Sequence, residues 1–164
     1  MIKKQIPNAL TLSNLFMGCC ALYFVYSQQF LIVFYLILIA LTADVFDGLA
    51  AWWLKVDGGL GKQLDSLADV VSFGVVPGAI LFKLIEYAFE SRYGFGGQTF
   101  LKLSFCFGGF IFTLGAALRL ARFNIDERQT TDFIGLATPA ASMAVLGLML
   151  IHNSGSGFFY DLLL

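Results

Sequence analysis

Five apolar runs, at residues 9–27, 30–53, 64–85, 99–118 and 137–152, set the pattern of this chain. Each is near the roughly 20 residues that a helix needs to cross a bilayer. Polar residues collect in the gaps. The first gap, Ser27-Gln28-Gln29, is very short, and the second, Val56-Asp57-Gly58-Gly59, is a glycine turn. Consecutive helices are therefore expected to be antiparallel neighbours, with the second and third forming a tight hairpin. A longer loop runs from Glu90 to Gly97, and the most polar one from Asn124 to Asp132. The stretch Phe158 to Leu164 reads as the opening of a further apolar helix, so the last element is either very short or the chain lacks a final helix. The pattern predicts an all-α fold, a polytopic transmembrane bundle of about five to six spans, in a single domain over residues 1–164.

Composition agrees with the pattern. With 59% hydrophobic residues, 13% charged residues and a mean hydropathy of +0.81, the chain is too apolar for a soluble core with a solvated surface. Met1-Ile2-Lys3-Lys4 before an apolar run imitates a secretory signal, but no small-residue cleavage site leads into a polar domain, which predicts a retained first helix. Once the helices alternate, Lys3, Lys4, Lys55, Lys62, Arg119, Arg122 and Arg128 fall on one side, and Lys83, Arg92 and Lys102 on the other. By the positive-inside rule the first side faces the cytoplasm. A net charge of −1 without a basic stripe argues against nucleic acid as a partner. Cys19, Cys20 and Cys106 have neither metal-ligand nor redox spacing and read as small apolar residues.

The exceptional segment is residues 42–72, with five aspartates inside this apolar chain. Asp44, Asp47, Gly48 and Ala51 stand at i, i+3, i+4 and i+7 of one helix, hence on one face. Gly61, Asp65, Asp69 and Ser72 make a second stripe on the next helix. Folding at Gly58-Gly59 turns the stripes toward each other, so that four carboxylates converge. A carboxylate at membrane depth costs about 2.5–3.5 kcal/mol on insertion scales. Such a cluster makes sense with protons or cations, and hard oxygen donors at this density suit Mg²⁺ or Mn²⁺. Gly48, Ala51 and Gly61 leave room for a ligand or a partner helix to approach the backbone. Asp57 lies in the turn and is expected to be solvated.

The arrangement Asp44-x-x-Asp47-Gly48-x-x-Ala51, then nine residues, then Gly61-x-x-x-Asp65-x-x-x-Asp69, closely resembles the signature of the CDP-alcohol phosphatidyltransferase family. Segments 6–18, 60–78, 118–124 and 135–141 are similar to the bacterial members of that family that transfer to serine. The resemblance implies CDP-diacylglycerol and L-serine as substrates, membrane lipids as surroundings, a homodimer, and a bacterial inner-membrane protein whose active site faces the cytoplasm. It implies two divalent ions held by Asp44, Asp47, Asp65 and Asp69, with Asp69 also the general base. Asp47, Gly48, Ala51, Gly61 and Asp65 would shape the CDP-diacylglycerol groove, with Asn8 and Thr11 as further contacts. Arg119 and Arg122 are candidates for the acceptor carboxylate or the lipid phosphate, or else interfacial anchors. Asn124 is a candidate for amino-acid recognition or a helix cap, Ser72 for a bond to its own helix, and His152 lies too far away to serve as a ligand.

One position departs from the family pattern, which has arginine directly after the alanine, where this chain has Trp52. Lys55, eleven positions after Asp44 and about 20° from it around a helix, is a candidate replacement for that charge. Trp52 is alternatively a stacking surface for cytosine. The competing readings are a sister enzyme using glycerol phosphate or inositol phosphate, a catalytically impaired homologue, and a cation or proton transporter.

Overall fold

The computed structural model describes residues 5–55, 59–93, 99–125 and 136–154. All regular structure among them is helical, as the apolar runs predict. Helix α1 spans Gln5–Tyr26 and α2 Phe30–Leu54. Helix α3 runs Gly59–Tyr93, α4 Phe100–Ile125 and α5 Thr138–Asn153. The first four are long and apolar enough to cross a membrane, so this is an integral membrane protein.

Each boundary has a local cause. Pro7 sits in the first turn of α1, where its missing N–H costs nothing. The turn into α2 closes with Ser27 N–H on the Tyr23 carbonyl at 3.0 Å and Gln29 N–H on that of Phe24 at 3.0 Å, with Gln28 at φ 60. Lys55, at φ 50, ends α2 in the left-handed conformation, its N–H reaching the Ala51 and Trp52 carbonyls.

Helix α3 is the centre of the bundle and, at 35 residues, its longest element. It extends beyond the apolar run 64–85 at both ends, because Lys62 and Gln63 before the run and Glu86, Glu90 and Arg92 after it depress hydropathy without breaking the helix. A wide π turn occupies Val70–Val75, just ahead of Pro77. Proline cannot donate to the carbonyl four residues back, and widening the preceding turn accommodates that loss. Thr113 of α4 donates to the Gly74 carbonyl there at 2.9 Å.

The core joins Ala21 and Val25 of α1, Phe30, Val33 and Ile37 of α2, Phe73, Val76, Ile80 and Leu84 of α3, and Val145, Leu146 and Met149 of α5. Small residues set how closely the helices cross. A Cβ on Gly109 would lie 2.6 Å from the Phe82 nitrogen, and one on Gly18 would run into the Ser72 hydroxyl. Glycine at these two crossings is required by contact.

Antiparallel succession puts the starts of α1, α3 and α5 and the ends of α2 and α4 together at one end, which carries the aspartates. The expected tight hairpin of α2 and α3 takes a different form. Helix α1 packs along α2 and against the acidic half of α3, while those two segments hardly approach each other by backbone. Aspartate side chains bridge the space between them. The turn residues 56–58, including Asp57, and the terminal stretch 155–164 lie outside the described residues.

Candidate active site

Ligand oxygens of Asp44, Asp47 and Asp65 all lie within 4.8 Å of one another. Register on two helices produces this: i, i+3 on α2 brings Asp44 and Asp47 to one face, and the first turns of α3 bring Asp65 opposite. Asp69 follows one turn deeper along α3 and accepts a hydrogen bond from Asn14 Nδ2 at 3.4 Å. Charges at such separations repel by at least about 3 kcal/mol per pair at an effective dielectric of 20. Burial sharpens the problem, since Asp47 is buried and the Asp65 Oδ1 atom has no hydrogen-bond partner among the described residues. An orphaned carboxylate oxygen beside two more hard donors is a set that Mg²⁺ or Mn²⁺ satisfies.

Helix α1 forms the floor. The Thr11 hydroxyl donates to Asp47 Oδ2 at 2.5 Å, with the Pro7 carbonyl also in reach at 3.1 Å. Asn8 lies beside Gly61, where an added Cβ would come within 3.3 Å of Asn8 Oδ1. Gly48 is different, because a Cβ there would meet nothing within 4 Å. Gly61 thus admits a neighbouring helix, whereas Gly48 faces open space beside the acids, and Ala51, in the next turn of the same face, is half-buried.

Other candidate residues fall elsewhere. Lys55 lies past the end of α2, and its left-handed φ takes it off the helical register that put it 20° from Asp44. Trp52 and Trp53 are 79% and 83% exposed, on the outer surface where indoles sit at a membrane interface. Arg119 is half-buried and donates to Thr138 Oγ1 of α5 at 2.6 Å, while Arg122 is exposed. Asn124 donates to Ser66 Oγ at 2.7 Å, fastening α4 to the acidic half of α3. Ser72 does not bond its own helix: its hydroxyl donates to the Asn14 carbonyl of α1 at 3.1 Å. His152 packs at the opposite end against Tyr87 and Phe30, with ring centroids 4.9 and 6.3 Å away.

Asn14 is the residue that sequence reasoning passed over. Its signal was available, as a polar residue three positions after Thr11 in an otherwise apolar helix.

Comparison with known proteins agrees with this geometry. The chain is 35% identical to the CDP-diacylglycerol–serine O-phosphatidyltransferase of Helicobacter pylori strain J99, over 90% of its own length and 58% of that protein. It is 30% identical to the enzyme of that name from Bacillus subtilis, over 92% and 78%. Against that of Methanocaldococcus jannaschii it is 34% identical, over 91% and 62%. The chain thus spans less than two thirds of the Helicobacter and Methanocaldococcus proteins. No solved structure matches it significantly. The family model described as CDP-alcohol phosphatidyltransferase matches residues 4–164, all four aspartates included, and the chain belongs to that family.

Proposed function

We propose that this protein is a CDP-diacylglycerol–serine O-phosphatidyltransferase, acting at the cytoplasmic face of a bacterial inner membrane. The observation that carries the reading is the carboxylate cluster of Asp44, Asp47 and Asp65, with an orphaned Asp65 oxygen and an open side at Gly48. The similarity to enzymes of that name supports serine as the acceptor. Lys55 and Lys62 at the acidic end support its cytoplasmic orientation. Homodimer formation is part of the proposal, on family resemblance.

In this reading Asp44, Asp47, Asp65 and Asp69 hold one or two Mg²⁺ or Mn²⁺ ions. Bound there, a divalent cation neutralises the pyrophosphate and the charge that builds up on the departing CMP. Thr11 keeps the Asp47 carboxylate aimed inward by donating to one of its oxygens. Gly48 leaves the backbone of α2 open to the nucleotide diphosphate. Asn14 orients Asp69, which takes the proton of the serine hydroxyl. The serine oxygen forms a bond to the phosphorus that carries diacylglycerol. The bond from that phosphorus to the bridging oxygen breaks, and the electron pair leaves with CMP.

The test is CMP release from CDP-diacylglycerol by the purified protein with Mn²⁺ or Mg²⁺, with and without L-serine, beside Trp52→Arg. Serine-dependent release by the native chain is expected. Release with glycerol phosphate or inositol phosphate in place of serine refutes the acceptor. Activity confined to Trp52→Arg identifies the native chain as an impaired homologue.

A further inference from the structure

Asn14 is 0% exposed, in the middle of an apolar helix, and three observations converge on it. Its backbone carbonyl accepts the Ser72 hydroxyl at 3.1 Å, and Gly18, one turn on, lets Ser72 come that close. Its Nδ2 donates to Asp69 Oδ1. Its Oδ1 is buried and has no hydrogen-bond partner among the described residues. The orientation of the amide is dictated by Asp69, because reversing it would set a carbonyl oxygen against a carboxylate. An oxygen left unpaired at full burial costs about 1–3 kcal/mol, so the arrangement lacks a hydrogen-bond donor.

The position says which molecule brings that donor. Thr11 serves Asp47 at the outer part of the cluster, where Gly48 faces open space. Asn14 lies about 4.5 Å further along α1 and serves Asp69, the innermost acid. A nucleotide diphosphate needs the open side. A small polar molecule that gives its proton to Asp69 must lie against Asn14. We propose, on the reading that the chain transfers to serine, that Asn14 has two roles. Its Nδ2 positions Asp69, and its Oδ1 accepts a hydrogen bond from the ammonium group of the acceptor, making Asn14 a specificity residue for amino alcohols.

The experiment measures initial CMP release by the full chain with Mn²⁺, varying L-serine and CDP-diacylglycerol separately. It compares the native protein with Asn14→Ala, Asn14→Asp and, as a control on the outer face of α1, Ser13→Ala. Asn14→Ala is expected to raise the KM for serine about 10- to 100-fold and to lower kcat, the range that losing a hydrogen bond to a charged group produces. The KM for CDP-diacylglycerol should stay within about twofold. Asn14→Asp keeps an oxygen for the ammonium but loses the donor to Asp69, so kcat should fall while the serine KM stays within about threefold. This variant also carries the test if Asn14→Ala does not fold. The inference is overturned if Asn14→Ala leaves the serine KM unchanged, if Asn14→Asp raises it as much as alanine does, or if the Mn²⁺ concentration for half activation moves instead. A native protein that uses no serine at all is a separate result, visible before any variant is compared. It removes the serine reading and this inference with it.

Discussion

The two ends of the bundle handle charge in opposite ways. At the end away from the aspartates, Lys83 pairs with Glu86 at 2.8 Å, and Lys102 with Glu86 at 3.4 Å and Glu90 at 2.5 Å. Lys83 also stands 5.7 Å over the Tyr26 ring. Two cations and two anions form a closed set that ties the last turns of α3 to the start of α4. At the acidic end the carboxylates crowd one another, and the partners seen for Asp47 and Asp69 are the neutral donors Thr11 and Asn14. Charges that serve the fold come with counter-charges on the same chain. The aspartates have no counter-charge of this kind among the described residues, and on the proposed function a bound cation would supply it and stabilise the fold.

The comparison breaks first at the acids. Asp69→Asn should lower serine-dependent CMP release by about 10²- to 10⁴-fold, the range for loss of a general base, and Asp44→Asn or Asp65→Asn should lower it by about 100-fold or more through a weakened cation site. Chelation by EDTA should do the same to the native protein and be reversed by Mn²⁺. A sharper form reads stability in detergent. Mn²⁺ at 100 times its dissociation constant should stabilise the native protein by about 2.7 kcal/mol. It should do far less for Asp44→Asn or Asp65→Asn, and an equal gain in all three would remove the metal site from these residues.

A smaller effect is expected at the floor. Thr11→Val removes one hydroxyl from a buried carboxylate and should cost about tenfold in kcat/KM, with the protein still folded. An unchanged kcat/KM would mean that Asp47 needs no orientation from α1. The smallest effect belongs to the far end. Glu86→Gln should leave turnover within about twofold and lower stability by about 1 kcal/mol, the upper end for surface ion pairs, because the Lys83, Glu86 and Lys102 side chains are 17%, 27% and 25% exposed. Loss of turnover there comparable to that of the aspartate variants would abolish the distinction between the two ends.

Much of this was legible in the sequence, for identifiable reasons. Apolar runs of spanning length admit few structures besides helices, so five runs gave five helices. The acidic stripes followed from i, i+3 and i, i+4 arithmetic within α2 and α3. What escaped lies between helices. The angle assigned to Lys55 assumed a helix running through residue 55, whereas α2 ends at Leu54. Ser72 was counted on the acidic stripe, but it falls inside the wide turn of Val70–Val75, where the extra residue per turn shifts the register and directs its hydroxyl to α1. Asn14 escaped because a lone amide in an apolar helix shows its meaning only when its neighbour is known.

The length of α3 has a consequence for how the reactants meet. Thirty-five residues at about 1.5 Å each make a rod of roughly 52 Å, against a hydrocarbon layer of roughly 30 Å. Such a rod cannot be immersed from end to end, and its first eleven residues, Gly59–Asp69, are the polar ones that carry Asp65 and Asp69. A diacylated nucleotide and a free amino acid share no solvent. On the proposed function, a helix too long for the oil would set its acids at the border between phases, where each reactant would arrive without leaving its own medium.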